Sequence, residues 1–431
     1  MKPAPLIAAI DVGTNSFHLV IASVNDKGIL QIHSRAKEMV RLGSGSGDMK
    51  LLSLGAMERG LDALKRFSVM ARKVKAPIRA IATSAVREAA NREEFVHLVA
   101  EATGIHIEVV SGVEEGRLIY VGALHALPIL SKRCLVIDIG GGSTETVIGQ
   151  KGEHQFIHSA KLGAIRLSQR FFSEEPTTPE QVNACREYIK GDLMPTFGQI
   201  LESGFETAIA TSGTAHTLAS MALAAKGKRV PEVMNGVHIT REELLSAVNL
   251  LASAESSEKR AALDGMEPRR ADIILGGALI LEQIVVNLNI QRLTLSAYAL
   301  REGILFDTVQ KDADIKAFHH LSRLRSETIY YLTELYKVNM PHAHHVKELS
   351  LTLFDQLLPL TSLTDAEREL LEAASLLHDV GYHISPEQHH KHSYYIISNC
   401  VMPGFTNDEA NVIANIARYH RKSTPKKKHE N

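Results

Sequence analysis

A short pattern occurs twice in this chain, and it restricts the folds open to it. Leu6 to Ile10 is an apolar run of strand type, followed by Asp11-Val12-Gly13-Thr14-Asn15-Ser16 and a second apolar run from Phe17 to Ser23. The same order recurs at Leu135 to Ile148: strand, Asp138, Gly140-Gly141-Gly142, Ser143, Thr144, Glu145, strand. An internal repeat of this kind implies two similar lobes, each presenting one hairpin to a shared cleft. The glycines let the backbone turn tightly and leave amide N–H groups uncovered, so that they can converge on an anion, and the hydroxyl residues add donors. Carboxylates at both ends of the second loop, Asp138 and Glu145, would repel a phosphate unless a divalent cation lay between them. Taken alone, either loop could equally be a plain hairpin.

Three further stretches lie where a strand gives way to a helix. Ile78 to Thr83 reads as a strand that feeds Ser84-Ala85-Val86-Arg87-Glu88, and Arg87 there suits either a bidentate phosphate contact or a surface ion pair. Ser111-Gly112-Val113-Glu114-Glu115 opens another helix. Its two carboxylates either serve the helix dipole or send one side chain into the cleft to take a proton from water, and periodicity does not choose between them. Thr207 to Ala210 opens into Thr211-Ser212-Gly213-Thr214, the strand-end position at which open α/β sheets bind ligands. An amphipathic helix is expected near Leu54 to Lys73, further helices near Arg92 to Thr103, Pro179 to Gly198 and Leu300 to Val309, and a long apolar one near Ala271 to Leu288.

The chain has 431 residues, enough for two or three domains, and a net charge of -1, which removes the global field of a nucleic-acid binder. A basic path for a polyanion would therefore be local, built from Arg166, Arg269, Arg270 and the tail Arg421 to Lys428. Three dispersed cysteines argue for a reducing compartment, and we expect a cytoplasmic protein. The longest apolar stretch, Ile273 to Val286, is broken by Glu282 and is too short to span a bilayer. Beyond Gln310 strand signals cease. Helical periodicity takes over, with helices expected near Lys316 to Tyr336, His342 to Leu357, Asp365 to Leu377, His392 to Asn399 and Asn407 to Tyr419, and ten of the 21 histidines lie from His342 onward.

Together these motifs resemble the exopolyphosphatase and guanosine pentaphosphate phosphatase family, relatives of actin, the sugar kinases and the Hsp70 chaperones. The resemblance rests on Asp11 to Ser16, Ala82 to Ala89, Ser111 to Arg117, Ile137 to Glu145 and Ala210 to Thr214, with Arg270-Ala271-Asp272 and Leu300-Arg301-Glu302-Gly303 as weaker support. It implies an α/β fold of two ribonuclease-H-like lobes, residues 1–123 and 124–309, followed by an all-α HD-like domain, residues 310–431. A fourth domain carried by longer members is not expected.

The activity the resemblance implies is release of terminal orthophosphate from inorganic polyphosphate, or alternatively hydrolysis of guanosine pentaphosphate at its 5′ end. A non-catalytic sensor of either ligand and a kinase are the remaining readings. Glu115 is expected as the general base. Gly13, Thr14, Asn15, Ser16, Arg87, Gly140, Gly141, Gly142, Ser143, Thr144, Gly213 and Thr214 are expected to hold phosphate, and Asp11, Asp138 and Glu145 to hold magnesium. In the helical region His345, His378 and Asp379 match the HD motif, with His392 and His420 near further ligand positions; these side chains either hold a divalent metal or, in a degenerate HD fold, are structural or solvent-exposed. No nucleic-acid or membrane partner is expected, and the resemblance implies a homodimer.

Overall fold

The computed structural model describes residues 5–24, 30–43, 49–312, 324–361, 363–400, 402–405, 407–421 and 424–425. The expected helix start at Lys316 and the tail residues Lys426 to Lys428 fall outside them. The chain divides into two compact units: residues 1–125, 129–230 and 238–318 form one, and residues 126–128, 231–237 and 319–431 form the other.

The first unit contains two sheets. In the first, strands β1 (Leu6–Val12), β2 (Ser16–Val24), β3 (Leu30–Met39), β4 (Ile78–Ala82) and β5 (Ile107–Val109) lie in the order β3-β2-β1-β4-β5. The second holds β6 (Cys134–Ile139), β7 (Thr144–Gln150), β8 (Glu153–Ala160), β9 (Thr207–Thr211), β10 (His238–Thr240) and β11 (Arg292–Leu295), ordered β10-β11-β9-β6-β7-β8. Read from β8 to β11, the second sheet repeats the first: an antiparallel three-stranded meander continued by two parallel strands. The repeated motif is thus the first hairpin of each lobe, and the fold is the expected pair of α/β lobes followed by a helical region.

Strand β3 escapes a periodicity search because its sequence, Leu-Gln-Ile-His-Ser-Arg-Ala-Lys-Glu-Met, is that of a half-solvated edge strand. Helix α1 (Leu54–Lys73) is capped by Ser53, whose side chain accepts from the Ala56 amide. Helices α2 (Ser84–Glu88) and α3 (Arg92–Thr103) complete the first lobe, over a core that includes Phe17, Phe67 and Phe95. Helix α4 (Gly112–Ala126) leads into the second lobe, whose helices are α5 (Ala164–Phe171), α6 (Pro179–Ser203), α7 (Ser212–Ala225), α8 (Arg241–Ser253), α9 (Ser257–Ala261), α10 (Ile274–Asn287) and α11 (Leu300–Asp312). Helix α6 runs past Gly198 to Gly204, where φ turns positive at 67° and ends it.

Helix α11 returns to pack against β1 and β2, so the lobes are tied by two helices, α4 and α11. These two helices meet at glycines. A Cβ on Gly303 would lie 1.9 Å from the Leu118 carbonyl oxygen, and one on Gly122 would lie 2.3 Å from that of Ala299.

The second unit is helical: α12 (Leu324–Leu335), α13 (Met340–Leu357), α14 (Asp365–Leu377), α15 (His389–Asn399) and α16 (Asn407–Tyr419) enclose a core of Ile329, Leu332, Leu370, Leu377, Ile397 and Ile413, among others. Among the described residues no helix is long and apolar enough to cross a membrane.

Candidate active site

The two hairpin loops face one cavity of about 510 Å³. Gly13, Thr14, Asn15 and Ser16 line it from the first lobe; Gly140, Gly141, Gly142, Ser143, Gly213 and Thr214 line it from the second. The loops also touch. A Cβ on Gly141 would meet the Thr14 side chain at 3.0 Å, and one on Gly142 would meet Ser84 Oγ at 2.4 Å, so glycine here permits a close approach of the lobes.

The second loop is set so that its carbonyls face away from the cavity. The oxygens of Gly140 and Gly141 accept from the amides of Ala164, Ile165 and Arg166 at the start of α5, and that of Gly142 accepts from Arg166 Nε at 2.9 Å. The Gly140 amide donates to the Ser143 carbonyl at 2.9 Å, and the amides of Gly141 and Gly142 are left for an anion. Arg166 is therefore no part of a basic path. Its guanidinium is buried under the loop and is paired with Glu88 at 2.9 Å.

Alternation along β6 and β7 decides which motif residues reach the cavity. Asp138 and Glu145 are cross-strand partners, as are Ile139 and Thr144 in the next register position. Neighbouring residues on a strand point to opposite faces, so Thr144 cannot join Asp138. Its hydroxyl is buried and donates to the Leu162 carbonyl at 2.7 Å, which corrects its expected contact with phosphate. Glu145 shares the face of Asp138 but is buried behind it. Ser159 Oγ donates to its carboxylate at 2.8 Å, Ser143 also bonds it, and it does not line the cavity as a magnesium ligand would.

Helix α4 delivers Glu115 from the first lobe to the same place. The geometry resolves the Glu114–Glu115 ambiguity: Glu114 is bonded by Arg117 at 2.7 and 2.8 Å, while Glu115 lines the cavity. Arg87, expected on phosphate, does not line the cavity. Its Nη1 donates to Glu115 Oε2 at 2.8 Å and to the Val110 carbonyl at 3.2 Å, so it positions that carboxylate.

Four carboxyl groups thus crowd one cleft, and burial is the first cause of a raised pKa at each. Asp11 and Glu115 are pushed up to about 7 and Asp138 to about 6, and Glu145 lies well above its ordinary value, with Glu115 and Asp138 adding to the burial effect. Arg301 beside Asp11, Arg87 beside Glu115, and Ser212 and Arg270 beside Asp138 oppose the rise. Like charges on opposed strand positions are destabilising. Asp138 Oδ1 is buried with no hydrogen-bond partner, so Asp11 and Asp138, which both line the cavity, fit a divalent cation as hard oxygen donors.

Because these folded pKa values exceed the unfolded ones, the folded state holds the extra protons, and stability is lost as pH rises through the folded values. The depressed pKa values of His18 and His216 act in the opposite sense, but only below 6.5, where unfolded histidine still takes up protons. Metal-free protein should therefore melt at a lower temperature as pH goes from 6.5 to about 8. A flat or rising profile in EDTA would contradict the burial of these groups.

Sequence reasoning assigned no role to two residues that shape the cleft, His18 and Arg301. His18 pairs with Asp11 across β1 and β2 as Glu145 pairs with Asp138, so the first lobe has an imidazole where the second has a carboxylate. Arg301 Nη1 donates to His18 Nδ1 at 3.2 Å, so the ring proton sits on Nε2, 2.7 Å from Ser16 Oγ. Burial and the cations Arg301, Lys37 and Arg270 push its pKa down to about 2, which keeps the ring neutral. The signal for His18 was a lone polar residue in an apolar strand; that for Arg301 was its place in Leu300 to Gly303. Arg270 lies flat on Gly213, where a Cβ would meet its Nη2 at 1.7 Å.

In the helical unit His378 and Asp379 lie together, but His345 does not join them. It is exposed on α13, and His342, one helical turn earlier, faces Asp379 at 3.8 Å. His389, not His392, approaches from α15 at 3.5 Å.

Two α/β lobes, each presenting a glycine-bearing hairpin to one cavity with a buried carboxylate between them, define an actin-like fold. Residues 20–312 match the model of the Ppx/GppA phosphatase family, and residues 324–431 match domain III of the Ppx/GppA phosphatases. The chain belongs to the Ppx/GppA phosphatase family and is a hydrolase. It is 31% identical over 97% of its length to a guanosine-5′-triphosphate,3′-diphosphate pyrophosphatase of Photobacterium profundum, covering 81% of that protein. It is 32% identical, with the same coverage, to the protein of that name in Vibrio cholerae. An exopolyphosphatase from Cytophaga hutchinsonii superposes with a TM-score of 0.66 at 29% identity, covering 72% of this chain and 99% of that one. The Ppx/GppA family member of Aquifex aeolicus gives 0.62 at 28%, with the same coverage.

Proposed function

We propose that this chain hydrolyses the terminal phosphoanhydride of guanosine pentaphosphate at its 5′ end, with terminal release of phosphate from inorganic polyphosphate as the second reading. The observation that carries phosphoanhydride hydrolysis is Glu115, a buried carboxylate with a pKa near 7, set across the cavity from the amide side of the Gly140–Gly142 loop. The nucleotide is favoured because the likeness to guanosine-5′-triphosphate,3′-diphosphate pyrophosphatases extends over 97% of the chain, helical unit included. Polyphosphate is supported by the likeness of the lobes to an exopolyphosphatase and by Arg35, Lys37, Arg270 and Arg301 around the cavity.

A phosphoanhydride has a good leaving group, so the protein's work is to place a water in line and to neutralise charge. The Gly141 and Gly142 amides with the hydroxyls of Thr14 and Ser16 hold the terminal phosphoryl oxygens, while the Ser143 hydroxyl supports Glu145. Glu115, steadied by Arg87, orients the water and accepts its proton. Asp11 and Asp138 would hold a magnesium ion, which supplies further neutralisation of the phosphoryl oxygens when bound.

Phosphate release from guanosine pentaphosphate, short polyphosphate and long polyphosphate should be measured side by side with magnesium. We expect the highest kcat/KM on the nucleotide; a higher value on polyphosphate would transfer the assignment to the second reading, and no release from any of them would remove both.

A further inference from the structure

Asp379 follows helix α14 and is ringed by four imidazoles from four segments of the helical unit. Its Oδ2 lies 3.3 Å from His378 Nε2 and 3.8 Å from His342 Nε2; its Oδ1 lies 3.5 Å from His389 Nε2 and 4.0 Å from His420 Nε2. His389 Nε2 and His420 Nε2 are 3.2 Å apart.

The other nitrogens determine which lone pairs meet. Nδ1 of His378, His389 and His420 lies 2.8, 3.0 and 2.6 Å from the carbonyl oxygens of Ser375, Pro386 and Ala417. A carbonyl only accepts, so each Nδ1 carries the hydrogen, and in a neutral ring Nε2 is then a bare acceptor. The His389 and His420 lone pairs consequently oppose each other, next to a carboxylate that also only accepts. One proton between His389 and His420 would relieve that pair and still leave the His378 lone pair against the carboxylate at 3.3 Å, while charging all the rings would set four cations against one carboxylate. A Lewis acid among these atoms resolves both conflicts. Backbone carbonyls on the far nitrogens are the support that fixes the tautomer and aim of metal-bound histidines.

The separations suit a first coordination sphere as well. At metal–nitrogen distances of about 2.0–2.1 Å, adjacent ligands lie roughly 3.0–3.5 Å apart, and the closest contacts here are 3.2, 3.3 and 3.5 Å. Tyr382 stacks on His389 with ring centroids 4.1 Å apart, which holds that ring in place. His378 and His420 also line a cavity of about 650 Å³, which gives a path for entry.

We infer that His342, His378, Asp379, His389 and His420 form a binding site for a divalent transition-metal ion. Four imidazoles and one carboxylate select zinc, cobalt, nickel or iron over magnesium and calcium, which take oxygen ligands. The site is separate from the phosphoryl cleft and does not depend on the reading given to it. The bound ion joins α13, α15 and the ends of α14 and α16, and so should stabilise the helical unit.

The test uses the full chain stripped with chelator and titrated with cobalt(II). Visible d–d absorption reports nitrogen ligation, and equilibrium dialysis reports stoichiometry. The expected result is one or two equivalents bound, a rise in melting temperature, and loss of at least tenfold in affinity in His389→Gln and in Asp379→Asn. His345→Gln and Asp138→Asn should keep the absorption bands. Absence of bands in the wild type overturns the inference without recourse to any variant, and so does their survival in a His378→Gln/His389→Gln protein or their loss in Asp138→Asn.

Discussion

Glu115→Gln is expected to lower kcat by roughly 10²–10⁴-fold, the usual worth of a positioned general base, with little change in KM. Glutamine keeps the size of the side chain and an oxygen to accept from Arg87 Nη1, so the arginine stays where it is. What is lost is the capacity to take a proton. Replacing a buried carboxylate whose pKa is raised to about 7 also removes the cost of ionising it, so the variant should be no less stable than the wild type above neutral pH. Glu114→Gln is the matched control. Its carboxylate is bonded by Arg117 and lies outside the cavity lining, so turnover should stay within a few-fold of wild type. Steady-state kinetics on whichever substrate proves best would check both, and equal losses in the two variants would sink the assignment of Glu115.

The second large effect concerns stability, and its sign is informative. Alanine in place of glycine inside a helix is ordinarily favourable by about 1 kcal/mol. At Gly303 the added methyl would sit 1.9 Å from the Leu118 carbonyl oxygen, so α4 and α11 must move apart. Overpacking of this kind costs about 1–3 kcal/mol and occasionally more, and here the obstacle is backbone that cannot rotate away. Gly303→Ala should therefore destabilise by about 2 kcal/mol net, a fall in Tm of roughly 3 °C for a unit of about 300 residues. At Gly191 and Gly198 in α6 an added methyl would have no atom within 4 Å, and the same change there should raise Tm slightly. Calorimetry on the three variants decides the matter; a stable Gly303→Ala would mean the helices do not cross so closely.

Much of this was legible in the chain because the two hairpins repeat the same chemistry. Asp11, Asp138 and the glycines sit in a pattern that local backbone rules alone demand, and Leu54 to Lys73 announces its helix by periodicity. What stayed hidden depended on direction or on distance along the sequence. Thr144 looked like a phosphate ligand because it stands beside Ser143, yet strand alternation turns it into the core. Arg166 looked like a surface cation, and only the return of α5 beneath the loop explains its burial. Arg301 reaches His18 from 283 residues away, which no local pattern encodes. His345 was chosen by its match to the HD motif, and only the helix's orientation shows that His342, three residues earlier on the same helix, is the ring that faces Asp379.

The substitution of a neutral imidazole at position 18 for the carboxylate that its repeat partner carries at position 145 gives the cleft a polarity. Around His18 gather Arg301, Lys37 and Arg270; around Glu115 gather Asp138 and Glu145. Arg301 and Arg270 neighbour the acids Asp11 and Asp138 as well as His18, so the neutral ring leaves both cations to the carboxylates instead of competing with them as a second charged partner would. The two jaws are alike in strand order and register, and this one exchange of side chain makes them chemically unequal.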